Sequence, residues 1–325
     1  MAQKLQEIFI KGDIYKMSFD IYFAGAQTPT VDDFIYNLGA NRLYSYFSER
    51  KHIDNYIERI KTRKTNSKLI VDSGAFSAWT RGVTINVDEY IEWLNERSEY
   101  ITAAGQMDVI PGHIKNGATF EDTVHAAEGT WENYLYMRKR LKNPDILLYT
   151  FHIGEPIKFL KNALEWKDEN GNQIKYMALG GMVGKPRNAR NQFLQMCYTE
   201  IFKSSNPNIK VHAFGMTDLE LCKKYPITSA DSTTWIIHGA QGRIRDEDGR
   251  YINISEKQAH IKENFVNIVP EQQERLHALF DKFGFSFDEL KSNYIKRLLF
   301  NVSMMYEQFN NVDNRNAKPK QKTLF

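Results

Sequence analysis

Residues 146–179 read ILLYTFHIGEPIKFLKNALEWKDENGNQIKYMAL, and this stretch decides the fold. Its two ends, Ile146–Ile153 and Lys175–Leu179, are short runs of apolar, β-branched and aromatic residues, which are typical of buried parallel strands. Between them, Pro156–Trp166 places apolar residues three and four positions apart, as an amphipathic helix does. The stretch therefore predicts one strand–helix–strand unit with a right-handed crossover.

The same alternation of strand and helix continues in both directions along the chain. Six further runs have the composition of strands: Lys16–Phe23, Arg42–Phe47, Lys68–Asp72, Ala104–Ile110, Lys210–Phe214 and Ile227–Asp231. Helical spacing recurs in Asp54–Lys61, Val87–Arg97, Glu128–Arg140, Ala189–Ser204 and Asp218–Lys224. Asp88 is expected to cap the second of these helices. Eight strands alternating with helices predict an α/β fold, a (β/α)8 TIM-type barrel, with an open doubly wound sheet as the alternative because periodicity does not report closure.

After the eighth strand the pattern changes. Residues 1–250 are assigned to the barrel, and Gly239–Arg250 is polar and glycine-rich, so it predicts a loop or a short hairpin. Residues 251–310 are expected to form a C-terminal helical extension, with Glu271–Phe283 and Phe287–Tyr306 as its best helices. The polar and basic residues 311–325 are expected to form a flexible tail.

Composition limits the class of protein. The chain has 325 residues, 42% of them hydrophobic, which is enough for a sizeable core and excludes collagen-like and low-complexity classes. A formal net charge of +3 is compatible with a local basic channel but not with a nucleic-acid coating protein. No apolar run approaches the ~18 residues of a membrane span, and no signal-peptide pattern is present, so we expect a cytoplasmic protein with no membrane partner. Cys197 and Cys222 predict neither a disulfide framework nor a zinc site, and we expect no metal or cofactor.

Acidic residues recur near strand ends, where a barrel builds its active site. Asp72 ends the third strand, Asp108 lies in the fourth, and Asp231 ends the eighth. A single Asp after a strand is more often a helix cap or a turn former, but three in one barrel would converge on the same mouth. Paired carboxylates suit glycosyl transfer with retention, in which one attacks the anomeric carbon and the other handles protons.

Four segments in register resemble the tRNA-guanine transglycosylase (queuine tRNA-ribosyltransferase) superfamily. They are VDSGAF at 71–76, ALGGMVGK at 178–185, HAFGMTDLELC at 212–222 and SADSTTW at 229–235. The resemblance spans roughly residues 16–245. It implies a barrel enzyme, a pentosyltransferase, that exchanges an encoded guanine for a 7-deazaguanine through a covalent sugar–enzyme intermediate.

The resemblance also implies roles for individual residues. Asp231 would be the nucleophile on C1′ of the target nucleotide, and Asp72 would be the acid and base for the departing and incoming bases. Asp108 would accept hydrogen bonds from N1–H and N2–H2 of guanine. The other residues expected to bind the base are Gly180, Gly181, Met182, His152, Ser73 and Phe76. Core packing is the alternative for Met182, which would stack on the base, and a structural role is the alternative for His152.

Two departures from the tRNA enzymes are visible. The cysteine-rich zinc segment after the barrel is missing, and FHIGEP at 151–156 stands where those enzymes have a base-reading Gln. The chain is more similar to the DNA 7-deazaguanine transglycosylases of phages and bacteria. These enzymes modify DNA, commonly with 7-cyano-7-deazaguanine. For a phage protein the expected compartment would be the host cytoplasm. We therefore expect DNA and a free 7-deazaguanine base as partners. A zinc-less tRNA enzyme, a non-catalytic nucleic-acid-binding barrel subunit and a nucleoside or glycoside hydrolase are the alternatives.

A duplex substrate requires extrusion of the target nucleotide and cations near the mouth. The residues expected to contact nucleic acid are Lys185, Arg187, Arg190, Arg243, Arg245, Arg250, His238 and Trp235. An ordinary solvated face is the alternative for the cations, and core packing is the alternative for Trp235. The end of the chain, QKTLF at 321–325, resembles the peptide that docks on sliding clamps, with Gln321, Leu324 and Phe325 as its contacts.

Overall fold

A computed structural model describes residues 19–313, except 27, 114–115, 259, 261 and 263. Eight parallel strands pair in chain order, and β1 pairs with β8 to close a barrel. The strands are β1 (Asp20–Ala24), β2 (Asn41–Ser45), β3 (Leu69–Asp72), β4 (Ala103–Gly105), β5 (Leu147–His152), β6 (Tyr176–Gly180), β7 (Lys210–Ala213) and β8 (Ser229–Ser232). The predicted TIM-type barrel is confirmed, and the alternative of an open doubly wound sheet is wrong. The first residues of the predicted strand Lys16–Phe23 lie outside the described part of the chain.

Helices surround the barrel. They are α1 (Pro29–Leu38), α2 (Tyr46–Lys61), α3 (Ala75–Thr80), α4 (Val87–Arg97), α5 (Phe120–Arg140), α6 (Ile157–Glu165), α7 (Arg187–Lys203), α8 (Leu219–Lys224), α9 (Thr234–Ala240), α10 (Pro270–Phe283), α11 (Phe287–Ser292) and α12 (Tyr294–Asn310). Short 3-10 turns occupy Pro144–Ile146, Glu256–Gln258 and Phe265–Asn267. None of the helices in the described ranges is both long and apolar enough to cross a membrane.

Side-chain caps explain where two helices begin. The cap of α4 is Asn86 and not Asp88, because the Asn86 side chain accepts hydrogen bonds from the backbone N–H of Asp88 and Glu89 at 2.9 and 3.3 Å. Helix α5 begins eight residues before the predicted Glu128. Thr119 and Asp122 form a reciprocal capping box there, which satisfies backbone donors that would otherwise be unpaired.

Alternate residues of each strand face the barrel interior. The interior core contains Tyr22, Ala24, Leu43, Ile70, Ala103, Leu148 and Ala178, while the opposite faces of the strands pack against the helices. Asp72 and Gly180 each lie two residues beyond an interior residue, and Asp231 pairs in register with Tyr22. The strand pleat therefore turns these three positions into the mouth of the barrel.

The C-terminal segment packs on the barrel. The predicted hairpin is present as β9 (Arg243–Arg245) and β10 (Tyr251–Asn253). The predicted helix Phe287–Tyr306 is two helices, because Asn293 ends α11 and caps α12. In α12, Arg297 Nε donates to the carbonyl of Gly239 at 2.9 Å, and Phe309 packs on Phe19, the residue before β1. Helix α12 thus lies against α9 and the first strand and shares their core.

Candidate active site

Asp72 ends β3 and is partly buried. Its Oδ2 accepts a hydrogen bond from the backbone N–H of Gly74 at 3.0 Å, and Gly74 has a φ of 77° that favours glycine. Burial raises the pKa of Asp72 to about 7, and the charges of Asp108 and Asp231 add to this rise, while the hydrogen bond from Gly74 opposes it. Asp72 can therefore give or take a proton near neutral pH.

Asp108 lies in the loop after β4, which ends at Gly105 and is shorter than predicted. Two side chains of α5 hold the neighbouring backbone: Asn133 Nδ2 donates to the carbonyl of Met107, and Thr130 Oγ1 accepts from the N–H of Val109, both at 2.9 Å. Oδ1 of Asp108 accepts from Gln106 Nε2 at 3.0 Å. The loop is thus fixed with the Asp108 carboxylate near the ends of β3 and β5.

His152 ends β5 between two carboxylates. Its Nε2 is 3.5 Å from Oδ2 of Asp108, and its Nδ1 is 2.8 Å from Oε1 of Glu155. Burial alone would lower the pKa of His152, but the charges and hydrogen bonds of Asp108 and Glu155 raise it to about 10. The side chain is therefore an imidazolium at neutral pH. A Cβ on Gly180 would lie 2.6 Å from Cδ2 of this ring. The glycine at the end of β6 therefore provides the space that the ring occupies.

Asp231 lies on β8 and is 8% exposed. Its Oδ1 accepts a hydrogen bond from the backbone N–H of Gly215 at 2.8 Å and is 3.3 Å from Nε2 of His212. Gly215 has a φ of 65°, in the left-handed region that favours glycine. Because the charge of Asp231 contributes to the raised pKa of Asp72, the two carboxylates share one electrostatic environment.

The remaining residues expected to bind the base lie in several settings. Gly181 is exposed on the rim, and Phe76 is 62% exposed at the start of α3. Met182 is buried, in agreement with the core-packing alternative. Ser73 is also buried, and its hydroxyl accepts from the N–H of Ala75 at 3.4 Å. Ser73 therefore shapes the turn after β3.

Two adjoining clefts share Arg187 and Glu220. One, of ≈ 370 Å³, brings together the predicted cations Arg187, Arg190 and Arg245, together with Asp218 and Asp248. Arg187 Nε is 2.9 Å from Oδ2 of Asp218, so part of this charge is neutralised within the protein. The other cleft, of ≈ 720 Å³, runs between α7 and α8. Neither cleft is lined by the site carboxylates.

The prediction of a groove for nucleic acid requires that the hairpin cations face solvent. Not all of them do. Arg245 is 3% exposed, and its Nε donates to Oε1 of Gln308 at 2.6 Å, so it braces the hairpin on α12. Nε of Arg243 donates to Oδ1 of Asn253 at 3.1 Å, across the hairpin. Of all the cations predicted to contact nucleic acid, the exposed ones are Lys185, Arg187 and Arg250.

The aromatic residues after Asp231 are packed. Trp235 is fully buried and donates from Nε1 to the carbonyl of Ser232, so core packing is the correct alternative for this residue. His238 stacks on Tyr251 with ring centroids 3.6 Å apart. Burial, with the charges of Arg243 and Arg245, lowers the pKa of His238 to about 4, so this ring is neutral near pH 7.

Several site residues were missing from the sequence prediction. They are Gln106, Glu155, His212 and Ser229. Glu155 could have been found from its place three residues after His152. His212 and Ser229 pair in register on neighbouring strands, with Ser229 two residues before Asp231 on the same inner face, and this alternation was the available signal.

Comparison of the sequence with protein-family models and with curated proteins finds no match. Within the described ranges, no group of three or more His, Cys, Asp or Glu side chains could hold a metal ion, and Cys197 and Cys222 are buried free thiols. The predicted clamp contacts Gln321, Leu324 and Phe325, and the tail 314–325 that carries them, lie outside the described residues. The residues of the barrel mouth are therefore the basis for inferring a function.

Proposed function

We propose that this protein is a DNA-guanine transglycosylase, which exchanges guanine in DNA for a 7-deazaguanine base. The observation that carries the proposal is the pair Asp72 and Asp231, on the inner faces of β3 and β8. Asp72 has a pKa raised to about 7, chiefly by burial, whereas Asp231 receives two donors on one oxygen. Carboxyl groups in such different environments suit a proton-transfer group and a nucleophile.

The first step would join enzyme and sugar. A carboxylate oxygen of Asp231 forms a bond to C1′ while the bond from C1′ to guanine N9 breaks, and the electron pair stays with the base. Asp72, in its acid form, gives a proton to the departing guanine. Its pKa of about 7 makes both protonation states available at neutral pH, which suits this exchange.

The second step would reverse the first with a new base. The incoming 7-deazaguanine gives its N9 proton to the Asp72 carboxylate, and N9 forms a bond to C1′. The bond between C1′ and Asp231 breaks, and its electron pair returns to the carboxylate. Two displacements at C1′ retain the configuration of the sugar.

Asp108 and His152 are suited to reading the base. Gln106 contacts one oxygen of the Asp108 carboxylate and His152 the other, and the remaining lone pair of each oxygen can accept from N1–H and N2–H2 of guanine. Phe76, exposed at the rim, offers a ring face on which a neighbouring base can stack. This arrangement supports a guanine-type heterocycle at the mouth.

DNA is favoured over tRNA by features of the sequence. The chain has two cysteines and lacks the cysteine-rich segment of the tRNA enzymes that it resembles. A target guanine in duplex DNA would have to be extruded to reach the mouth, and the exposed cations Lys185 and Arg187 lie at the rim to hold the backbone. Sliding-clamp docking through residues 321–325 stays a prediction.

Labelled guanine offered with duplex DNA and, separately, with tRNA tests the proposal. We expect label to enter DNA with the wild-type protein and not with Asp231→Ala. Label in tRNA alone would select the tRNA alternative, and release of free base without incorporation would identify a hydrolase. Binding to DNA without either reaction, unaffected by Asp231→Ala, would indicate a non-catalytic subunit.

A further inference from the structure

A chain of hydrogen bonds runs through the barrel interior to Asp231. His212, on β7, is fully buried, and its Nε2 is 3.3 Å from Oδ1 of Asp231. Its Nδ1 is 2.5 Å from Oγ of Ser229. That hydroxyl is in turn 2.5 Å from the hydroxyl of Tyr176. The reaction steps described above give these three side chains no part.

The direction of the hydrogen bonds in this series follows from the Asp231 carboxylate at its end. A carboxylate oxygen can only accept a hydrogen bond, so Nε2 of His212 carries the proton. In the neutral ring Nδ1 accepts from the Ser229 hydroxyl, and Oγ of Ser229 then accepts from the hydroxyl of Tyr176. Aromatic edges clamp the imidazole, because its centroid lies 5.9 Å from the ring of Tyr22 and 4.6 Å from that of Phe214. Both the tautomer and the ring plane of His212 are thereby fixed.

The two oxygens of Asp231 have different surroundings. Oδ1 faces Nε2 of His212 and also accepts from the N–H of Gly215 at 2.8 Å. In the part of the chain that the structure describes, neither donor contacts Oδ2. The carboxylate is therefore anchored by one oxygen, while the other keeps its lone pairs for a reaction partner.

We propose that His212 is a positioning residue that anchors Oδ1 of Asp231 and makes Oδ2 the attacking oxygen. This inference rests on the proposed function. When the bond from Oδ2 to C1′ forms and the bond from C1′ to N9 breaks, Oδ1 becomes the carbonyl oxygen of the ester and keeps its donors. When the bond from C1′ to Oδ2 breaks in the second step, the same donors stabilise the returning carboxylate.

A pair of variants separates the donor from the ring. His212→Phe keeps an aromatic ring and removes the donor, whereas His212→Gln returns an N–H near the position of Nε2. We expect the single-turnover rate of adduct formation to fall about 100-fold in His212→Phe, with little change in KM for DNA. His212→Gln should recover most of that loss. A wild-type rate in His212→Phe, or equal losses in both variants, would overturn the proposal.

Ser229→Ala supplies the activity test if His212→Phe does not fold. Loss of the hydroxyl bond to Nδ1 should slow adduct formation about 10-fold, and an unchanged rate would count against the proposal.

A readout that needs no substrate distinguishes this inference from the proposed function. Nitrogen NMR of the labelled full chain should show His212 with a proton on Nε2, the donor that anchoring requires. The opposite tautomer would overturn the anchoring of Asp231. A wild-type protein that shows the expected tautomer but exchanges no base would overturn the proposed function, and the attack by Oδ2 with it, while the anchoring would stand.

Discussion

Asp72 ends β3 and Asp108 lies in the loop after the neighbouring strand β4, and burial together with the charge of Asp108 raises the pKa of Asp72 to about 7. Asp108 in turn lies 3.5 Å from the imidazolium of His152. The mouth of the barrel thus holds several carboxyl groups around one cation. Such an arrangement disfavours full ionisation of the carboxyl groups, and strongly shifted pKa values of this kind concentrate at functional sites.

Asp72→Asn should raise stability while it abolishes base exchange. The native pKa of about 7 lies above the ordinary value of 3.8, so ionising Asp72 in the folded protein costs stability as pH rises from 3.8 to about 7. The variant should therefore be more stable than the wild type by on the order of 2 kcal/mol above pH 7, with the difference vanishing near pH 4. Urea unfolding across this pH range measures it. Equal stability of the variant and the wild type at pH 8 would show that ionisation of Asp72 costs the folded protein no free energy.

His152→Gln should destabilise the protein in a pH-dependent way. The native pKa of about 10 lies above the ordinary value of 6.5, so the stabilising contribution is fully present below pH 6.5 and is lost as pH rises through about 10. At pH 7 the variant leaves Asp108 and Glu155 without their cation, and we expect a loss on the order of 2 kcal/mol. Thermal melts at pH 7 and pH 10 give the comparison. A loss that is the same at both values would contradict the charge assignment.

Gly180→Ala should be most costly while the imidazole is present, because His152 is the nearest neighbour of the added methyl group and Thr150 Cγ2 is the next, at 3.1 Å. The added methyl group would lie 2.6 Å from Cδ2 of His152, and overpacking of this kind costs about 1–3 kcal/mol. In a His152→Ala background the methyl group would meet no ring, so the same substitution should cost much less. A double-mutant cycle by chemical denaturation measures the coupling. Costs that simply add would mean that the two residues do not compete for space.

Arg187 and Arg245 should differ in what they support. Arg187→Gln removes an exposed rim cation that is paired with Asp218, and should lower the slope of log affinity for DNA against log salt by at most about 1, with a stability loss of no more than about 1 kcal/mol. Arg245→Gln removes a buried brace and should lower the melting temperature. Lys175→Gln, an exposed cation one residue before β6 at the opposite end of the barrel, is the matched control and should leave the slope unchanged. Equal slopes for Arg187→Gln and Lys175→Gln would show that Arg187 does not contact a phosphate.

The sequence was sufficient for the barrel and for much of its mouth. The barrel strands are short and most of them have an apolar centre, and the residue that ends a strand faces inward when it lies an even number of residues beyond a residue of the interior core. Asp72, His152 and Gly180 follow this rule. Asp231 also faces inward, although it lies one residue before the end of β8. Their convergence could be predicted because closure brings all strand ends to one face.

Other features depend on contacts distant in sequence. Arg245 belongs to a polar, glycine-rich segment, and nothing local indicates that Gln308 of α12 lies beside it. The anchoring of Asp231 by His212 requires the register between β7 and β8, which the composition of the strands does not determine. The sequence does not decide between Asn86 and Asp88 as the cap of α4, because both are good capping residues and lie two positions apart.

The covalent adduct is the most direct measurement of the central claim. The protein is mixed with guanine-containing duplex DNA, denatured and digested, and the peptide that carries a sugar is identified by mass spectrometry. We predict that the wild-type adduct is on Asp231, that Asp231→Ala forms none, and that added 7-deazaguanine discharges the adduct with the new base in the DNA. An adduct on another residue, or base exchange that persists in Asp231→Ala, would contradict the assignment of Asp231 as the nucleophile.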